Sequence, residues 1–469
     1  MSHLFRLPVP LILDILDLVL ETKNNDISVL SVCRYLRRFA EDVIYRSIEL
    51  NYAKTYVTDP CYRLHRLIRT LPKRDDLAQR VRFLSISSWV DDSRRCSTLS
   101  HLTAVNCLTS DTKEPERVFL RGLGLRHEKV WLEALDGNIV GFYAAIIVML
   151  SPNLIRLNLR LQDGFEFVSQ VLDPTFSLSR ARPQTLSSLR SLDYGYPLPL
   201  SDDDCHYEAY AVGDITPLFY LPALTTLSLT GMGGGKNKLK GFKWPSGKAP
   251  RSRLAHLDIT GAEFDMTLLE ELLAACPHLV SIDCNLEDTN NPELIFYQRI
   301  VKALTRVKST VTRIAIRLCT NHDYPRREVD IERIGSFRQF SRLERLEIPL
   351  VAYMGSNPRE ADALERVLPP MLKYLRLTHG NWIVGCEKVL LYWPTMCCQL
   401  MTLLRQKHES VPRLETLNLH LTPRPRDKLD VRKLHDELHG AGEEVGVRVS
   451  VWNAWDGRHF DRNECLYCR

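Results

Sequence analysis

The chain has 469 residues, 45% of them hydrophobic, and its 62 basic and 57 acidic residues leave a formal net charge of +5. Because charges of both signs are interspersed, the concentrated basic face of a nucleic-acid-binding protein is missing, and we expect no nucleic-acid partner. No uncharged apolar run of eighteen residues occurs, so we expect no membrane span. The length provides a large core, either in two or three domains or in one repeat array.

Thirteen cysteines occur in the chain. The apolar stretch near the N-terminus is interrupted by Asp14 and Asp17 and lacks a small-residue cleavage site, which argues against a secretory signal. The cysteines therefore predict a reducing compartment, where buried thiols pack as small apolar side chains instead of forming disulfides. The adjacent Cys397 and Cys398 lie in a predicted helix, where we expect one of them to pack inward. We expect a cytoplasmic or nuclear protein.

The first element along the chain is an apolar helix near the N-terminus. Its apolar residues recur at four-residue spacing in two rows: Leu11, Ile15 and Val19, and Ile12, Leu16 and Leu20. Acidic residues at 14, 17 and 21 share the opposite face, so the period is helical. The apolar arc is wider than one stripe, which leaves one side for the protein's own second helix and another for a partner.

The same segment has a specific residue order. A Leu-Pro pair opens the apolar helix, at Leu7, Pro8, Leu11, Ile12, Ile15, Leu16 and Val19. A Val-Cys-basic triplet opens a second helix that ends in Ile-Tyr-Arg, at Val32, Cys33, Arg34, Leu36, Phe39, Ala40, Ile44, Tyr45 and Arg46. This order resembles the F-box, a short helical module that docks a protein onto the Skp-type adaptor of a cullin-based ubiquitin ligase.

The resemblance implies that residues 1–50 form a helical module with a Skp-type adaptor and a cullin complex as partners. It assigns adaptor binding to Leu7, Pro8, Leu11, Ile12, Ile15, Leu16, Val32, Cys33 and Leu36. Two positions depart from the family, which has an acidic residue at Pro10 and Trp at Leu36. Both departures are compatible with helices, since Pro10 falls in a first turn and Leu36 is bulky and apolar. The alternative is a helix pair that caps the following domain and binds no partner.

After residue 80, the pattern Leu-x-x-Leu-x-Leu returns ten times, with an apolar substitute allowed at each place. The anchors are Val81-Leu84-Ile86, Leu154-Leu157-Leu159, Leu189-Leu192-Tyr194, Leu224-Leu227-Leu229, Leu254-Leu257-Ile259, Leu279-Ile282-Cys284, Val311-Ile314-Ile316, Leu343-Leu346-Ile348, Leu372-Leu375-Leu377 and Leu414-Leu417-Leu419. The second and third anchors lie two apart on a short strand, so both point inward. The pattern predicts a series of stacked strands.

The segments between these strands predict helices on the outer face, at 139–150, 268–275, 295–304, 361–368 and 396–404. From residue 154 the repeats are 25 to 42 residues long, mostly longer and less even than the roughly 20 to 29 residues of regular leucine-rich repeats. A single strand-and-helix unit of this size cannot bury its apolar face, so only stacking makes it stable. The alternative is a non-repetitive α/β protein with coincidental leucine spacing.

We therefore predict an α/β protein in which a small N-terminal helical F-box-like module precedes an irregular leucine-rich-repeat solenoid. The predicted boundaries are 1–50 for the module, 51–80 for a helical linker, 81–455 for the array and 456–469 for the tail. The combination resembles fungal F-box proteins with irregular leucine-rich repeats, including their linker style at Leu64-His65-Arg66-Leu67.

The glycine-rich loop 231–237 superficially resembles a phosphate-binding loop. Such a loop needs a glycine five residues before its Gly-Lys pair and Ser or Thr after it, but Thr230 and Asn237 occupy these places. Gly241 and Pro245 break the chain, so no helix N-terminus follows to face a phosphate. Five lysines between positions 236 and 248 instead predict a basic loop, which is either a solvated insertion or a binding lip for an acidic partner.

Two further segments contain possible metal ligands. The run 202–206 reads Asp-Asp-Asp-Cys-His, but consecutive residues cannot converge on one ion without more distant partners. Cys465 and Cys468, with His459, provide only part of a zinc site because a second cysteine pair is missing. No His-Glu-x-x-His, Gly-x-Ser-x-Gly or kinase signature occurs. We expect no metal, no cofactor and no enzymatic activity.

These observations predict a substrate-recognition subunit of a Skp-cullin-F-box ubiquitin ligase. Its N-terminal helices would hold the adaptor, and its repeat array would present an unknown protein substrate for ubiquitin transfer. The alternative function is a leucine-rich-repeat scaffold or regulatory interaction protein without a role in ubiquitin transfer.

Overall fold

The structure of the protein, a computed structural model, divides into two compact units. The first unit comprises Met1–Ser201 and Asp214–Leu227, and the second comprises Asp202–Gly213 and Ser228–Arg469. The residues that the structure describes are 8–9, 11–12, 15–16, 34–51, 60–87, 113–161, 164–173, 186–195, 212–231, 242, 244, 247–262, 266–287, 294–319, 330–355, 361–378, 389–421 and 431–453.

The fold is mixed α/β and is built on a twelve-stranded parallel sheet with the order β1-β2-β3-β4-β5-β6-β7-β9-β11-β12-β13-β14. These strands are β1 (Ser47–Asn51), β2 (Phe83–Ser87), β3 (Arg156–Arg160), β4 (Ser191–Gly195), β5 (Thr226–Thr230), β6 (His256–Ala262), β7 (Ser281–Glu287), β9 (Arg313–Cys319), β11 (Arg345–Pro349), β12 (Tyr374–Thr378), β13 (Thr416–Leu421) and β14 (Arg448–Asn453). A separate two-stranded parallel sheet pairs β8 (Leu294–Phe296) with β10 (Asp330–Glu332).

Helices occupy most of the described connections between the strands. They are α1 (Arg34–Arg46), α2 (Pro60–Thr70), α3 (Asp75–Ala78), α4 (Glu114–Leu123), α5 (Glu128–Asp136), α6 (Val140–Leu150), α7 (Phe165–Leu172), α8 (Met266–Ala274), α9 (Tyr297–Leu304), α10 (Leu350–Met354), α11 (Leu364–Val367), α12 (Val389–Arg405), α13 (Lys407–Ser410) and α14 (Val431–Glu444). Two 3₁₀ helices span Val212–Tyr220 and Thr305–Val307.

The apolar anchors explain why the strands form where they do. All thirty anchor side chains of the ten predicted triplets are at most 2% exposed, and each triplet ends in one of the observed strands. On β13, buried anchors alternate with half-buried Thr416, Asn418 and His420. Successive side chains on a strand point to opposite faces, so each strand gives one face to the core and a polar face to the other side.

The first unit packs around α6, which is apolar on all sides. Every residue of this helix from Gly141 to Leu150 is buried, as expected for a helix without a polar face. Trp131, Phe142 and Phe167 meet edge to face beside it, with ring centroids 5.0 to 6.0 Å apart. No single helix in the described part of the chain is long and apolar enough to cross a membrane; α5 and α6 pass that test only together, and a 120° bend separates them.

In the second unit, the strands keep a continuous parallel register. Leu346 of β11 pairs with Ile314 of β9 and with Leu375 of β12, and Leu375 pairs with Leu417 of β13. The anchors of neighbouring strands therefore form rows on the buried face, while the residues between them form rows on the polar face. This register decides which polar side chains meet.

The ten predicted strands are all present, but two strands at the ends of the sheet order, β1 and β14, were not predicted. Ile48 and Leu50 of β1 have the anchor spacing, but the F-box-like residue order predicts that this segment closes a helical module. In β14, Val449 and Val451 have the spacing, but Gly446 stands at the first anchor position and adopts φ 67°. A triplet rule that requires an apolar residue at all three places misses such a strand.

The predicted helices at 139–150 and 268–275 correspond to α6 and α8. The prediction at 295–304 was wrong in its first turn, because residues 294–296 form β8 and the helix begins at Tyr297. The predicted helix 361–368 is reduced to the single turn of α11, which ends just before Pro369 and Pro370. The prediction at 396–404 was too short, since α12 begins at Val389.

Candidate functional site

The N-terminal apolar helix has one buried and one exposed apolar row. The backbone N–H of Ile12 donates to the carbonyl of Pro8 over 3.2 Å, which closes the first helical turn. Ile12 and Leu16 are 1% and 5% exposed, whereas Leu11 and Ile15 are 48% and 41% exposed. Each row has the four-residue spacing of one helix face. In its described part, the helix therefore buries Ile12 and Leu16 within its own molecule and presents Leu11 and Ile15 to solvent.

The exposed row is unusual among the described residues. Only six large hydrophobic side chains of that part of the chain are strongly exposed, and three of them, Val9, Leu11 and Ile15, lie within seven residues of one helix. A single exposed apolar side chain needs no explanation, but a cluster of them marks a binding surface. Leu11 and Ile15, four residues apart, share one face of the helix, and we call these two side chains the apolar ridge.

The remaining predicted adaptor-binding residues are only partly described. Leu7, Val32 and Cys33 lie outside the described residues, and Leu36 belongs to α1. Pro8 is exposed at the start of the first helix. The structure thus separates the predicted set, because Leu11 and Ile15 are accessible to a partner while Ile12 and Leu16 belong to the core.

Ion pairs connect helix α1 to the segment around α3 within the first unit. Arg74, in the turn before α3, places its Nη2 3.1 Å from Oε2 of Glu41 on α1. Arg80 places its Nη1 2.6 Å from Oδ1 of Asp42 on the same helix. The chain leaves α1 directly into β1, which pairs in parallel with β2 from Ser47 onward. The sheet therefore begins inside the range 1–50 that was predicted to be a separate module.

A second candidate site lies on the polar face of the second unit. Arg313, Arg345 and Tyr374 occupy equivalent positions on β9, β11 and β12, and Glu347 pairs in register with Arg376. Here the sheet forms a cavity of about 260 Å³. We call it the arginine cavity, and it is lined by Arg313, Ile314, Arg317, Arg345, Leu346, Glu347, Tyr374 and Arg376.

Carboxylates hold two of the arginines of this cavity in place. Arg317 places its Nη2 2.9 Å from Oδ2 of Asp283 and its Nε 3.2 Å from Oε1 of Glu347. The same Glu347 oxygen lies 3.6 Å from Nη1 of Arg376. Ala315, which stands between Asp283 and Glu347 in register, has a short side chain that leaves room for Arg317 to bridge them. The cluster is therefore a braced network of charges.

The two outer arginines of the cavity, Arg313 and Arg345, make weaker contacts with carboxylates. Arg313 lies 3.8 Å from Asp283, a long ion pair with a half-exposed guanidinium. The Cζ atom of Arg345 lies 4.7 Å from the centroid of the Tyr374 ring, a cation–π distance, and no carboxylate in the described part of the chain pairs with Arg345. Sequence reasoning missed this cavity, because the relevant residues are the variable positions between the leucine anchors.

A third polar cluster, in the first unit, has a buried centre. Nε2 of His65 lies 3.1 Å from Oε1 of Glu116, and Arg69 binds the same carboxylate. Burial lowers the pKa of His65 below its ordinary value of 6.5, against the raising effect of Glu116. Lys113 donates to the carbonyl oxygen of Leu135 over 2.8 Å at the end of α5. His65, Glu116 and Lys113 are at most 3% exposed, so this cluster supports the fold and is closed to substrates.

Three cysteines of the described residues, Cys276, Cys284 and Cys397, are poor nucleophiles. Burial raises the pKa of Cys276 to about 12 and raises that of the buried Cys284 further, with Asp283 adding to the effect. Cys397 is half-buried with a pKa raised to about 11, chiefly by burial, while its neighbour Cys398 is exposed. The thiols of Cys276, Cys284 and Cys397 therefore stay protonated at neutral pH and do not act as thiolates.

The other segments that the sequence singled out fall mostly outside the described residues. This holds for the ligand-rich run 202–206, for the tail with His459, Cys465 and Cys468, and for all of the glycine-rich loop after Gly231. Within the described part of the chain, no group of three or more His, Cys, Asp or Glu side chains is placed to hold a metal ion.

No protein-family model and no curated protein matches this chain.

Proposed function

We propose that this protein is the substrate-recognition subunit of a Skp-cullin-F-box ubiquitin ligase. In this proposal the N-terminal helices dock a Skp-type adaptor, and an irregular leucine-rich-repeat array holds the target protein. The observation that carries the proposal is the apolar ridge, whose Leu11 and Ile15 are 48% and 41% exposed at positions that match the F-box pattern.

The physical argument starts from the cost of exposed apolar surface. Each of Leu11 and Ile15 would gain roughly 1 to 2 kcal/mol on full burial against a partner, since about half of each side chain is already buried. Ile12 and Leu16, on the neighbouring row, anchor the helix in its own molecule and so hold the ridge in place. A ridge fixed before binding loses less conformational entropy when a partner covers it.

The strand order supports the second half of the proposal. The second and third anchors of each of the ten triplets lie on a strand of their own, and the strands follow one another in chain order, which is the arrangement expected of stacked strand-and-connection repeats. Such an array offers a long polar face to a protein partner. The subunit would contribute no chemistry itself, but it would raise the effective concentration of the target near the charged ubiquitin carrier.

Adaptor docking is tested by pull-down of recombinant Skp-type adaptor with the full chain and its variants. An interface of standard size, about 1,600 Å², concentrates its binding energy in a few central side chains. We expect Leu11→Asp to weaken adaptor binding by at least ~2 kcal/mol, or about thirtyfold. Ile15→Asp should behave similarly, because it removes the next apolar contact of the same row.

The matched control is Val130→Asp, which places the same charge at a 47% exposed valine on α5 of the same unit. This variant should retain the adaptor, and thermal melts should show that all three variants fold. Equal recovery of adaptor by wild type and Leu11→Asp would contradict the proposal, as would failure of the folded wild-type chain to bind adaptor at all. The latter result would favour the scaffold or regulatory function.

A further inference from the structure

We propose that the arginine cavity of the second unit binds the phosphate group of a phosphate monoester. This inference stands on the geometry of β9, β11 and β12 alone, and it does not depend on whether the apolar ridge docks an adaptor. It assigns a ligand to the polar face of the sheet, for which the adaptor proposal names only an unspecified protein.

Arg313 and Arg345 repel each other when no anion lies between them. Arg313 and Arg345 are direct neighbours in the parallel register, on strands that lie roughly 4.8 Å apart. Like charges placed side by side on one face of a sheet destabilise it. Arg345 has no carboxylate partner in the described part of the chain, and Arg313 has only the 3.8 Å contact with Asp283. An anion between the two guanidinium groups would remove this repulsion.

The local charge favours an anion of high charge. Four guanidinium groups and one carboxylate, that of Glu347, line the cavity, so its lining is strongly positive. Asp283 pairs with Arg317 and Arg313 beside the cavity, and Asp258 is its neighbour in register, so these carboxylates offset part of the positive charge. A phosphate monoester carries a charge of about −1.5 to −2 at neutral pH and is therefore attracted more strongly than a singly charged carboxylate or phosphodiester.

The side chains that would donate hydrogen bonds to the phosphate are already fixed in position before it binds. Arg317 and Arg376 are braced by Glu347, and Arg345 lies over the Tyr374 ring. Nδ2 of Asn418 donates to the Tyr374 hydroxyl oxygen over 2.9 Å, so the hydroxyl keeps its own proton to donate to a ligand oxygen. Arginine binds phosphate through two parallel N–H donors, and braced side chains lose little rotamer freedom when they do so.

The size of the cavity restricts the ligand further. Its volume of about 260 Å³ accommodates one phosphate and the group attached to it. A nucleic-acid strand would need a groove that follows several phosphates. The phosphate belongs either to a phosphorylated side chain of a protein or to a small free ester, and the experiment separates these two sources.

The test is a calorimetric titration of the full chain with inorganic phosphate, a phosphoserine peptide with neutral flanking residues, its glutamate counterpart, acetate and a short oligothymidylate. We expect saturable binding of phosphate and of the phosphopeptide, and at least tenfold weaker binding of the three singly charged or diester probes. Tighter binding of the phosphopeptide than of phosphate identifies a protein source. Equal binding identifies a free phosphate ester, and either result supports the site.

The variants are Arg313→Ala and Arg345→Ala, both at exposed positions whose replacement leaves the buried anchors intact. Each should weaken phosphate binding about tenfold, since each removes a charge-assisted donor pair. The matched control is Arg448→Ala, an exposed arginine in the same register row on β14, two strands beyond Tyr374, which should change the affinity less than twofold. No saturable phosphate binding by the folded chain, an equal loss in Arg448→Ala, or binding of the oligothymidylate as tight as that of phosphate would overturn the proposal.

Discussion

Among single residues, Asp283 has a carboxyl group whose ionised form is clearly disfavoured in the folded protein. Burial raises the pKa of its carboxyl group from 3.8 to about 6, and the charges of Asp258 and Glu347 add to this effect. Arg317 and Arg313 oppose it without cancelling it. The native state therefore holds this proton more tightly than the unfolded chain does, so the contribution of Asp283 to stability falls as the pH rises from 3.8 to about 6.

The variant Asp283→Asn removes the charge and keeps the shape. At pH 7.5 we expect it to raise the free energy of unfolding by about 1 to 3 kcal/mol, because the buried carboxylate is no longer ionised in the native state. The gain should shrink as the pH is lowered through 6 towards 4, where the wild-type carboxyl group is itself protonated in the folded protein. Urea unfolding at several pH values measures both effects.

The control for this variant is Asp136→Asn, which removes a half-exposed carboxylate that pairs with Arg117. Exposed ion pairs contribute little, so its effect should stay within about 1 kcal/mol. A destabilised Asp283→Asn protein at pH 7.5 would show that the pairs with Arg317 and Arg313 outweigh the cost of burial.

At the level of single elements, helix α14 lies very close to the β14 segment at Gly442. A Cβ atom on Gly442 would lie 2.6 Å from the carbonyl oxygen of Val447 and 2.6 Å from Cγ2 of Val449. A Cβ atom on Gly440, two residues earlier in the same helix, would meet nothing within 4 Å. Gly442 is thus required by the packing of α14 on β14, whereas Gly440 is not.

These two glycines give a matched pair of substitutions. Gly440→Ala should raise the free energy of unfolding by about 0.5 to 1 kcal/mol, since alanine favours an exposed helix position over glycine. Gly442→Ala should lower it by about 1 to 3 kcal/mol, because the backbone of the β14 segment must move to admit a methyl group. Denaturant unfolding of both variants checks the signs. Equal effects at both positions would mean that α14 does not pack against β14 in this way.

How far sequence predicts these elements depends on what each residue faces. Leucine anchors such as Leu346 and Leu375 face the core, so burial imposes a period that the sequence displays and the strands could be predicted. Arg313, Arg345 and Tyr374 lie about thirty residues apart, and each alone reads as an ordinary solvated side chain. Only the register of three neighbouring strands brings them together, and irregular repeat lengths conceal that register.

The N-terminal helix lies between these two cases. Its helical period could be predicted from the spacing of Leu11, Ile12, Ile15 and Leu16, and so could the width of its apolar arc. Which of the two rows is buried could not be predicted from the sequence, because both rows consist of similar apolar side chains. The choice depends on the surface that the helix packs against. The structure resolves this choice, since Ile12 and Leu16 are buried and Leu11 and Ile15 are exposed.

At the level of the whole molecule, strands in chain order make each strand dependent mainly on its sequence neighbours. β1 pairs with β2 across the segment 52–82, so the N-terminal residues contribute directly to the sheet of the first unit. A deletion of residues 1–50 would therefore remove most of a strand together with the apolar ridge. Point variants on the full chain separate adaptor binding from folding more cleanly than truncation does.

Site-specific photo-crosslinking shows directly whether the apolar ridge contacts the adaptor. A benzophenone amino acid is placed at Leu11 or Ile15, and in a control chain at Val130, and each chain is irradiated with recombinant Skp-type adaptor. If the apolar ridge docks the adaptor, the first two positions give a covalent adduct of chain and adaptor and the third does not. Absence of an adduct at both Leu11 and Ile15, or an equal yield at Val130, would contradict the account.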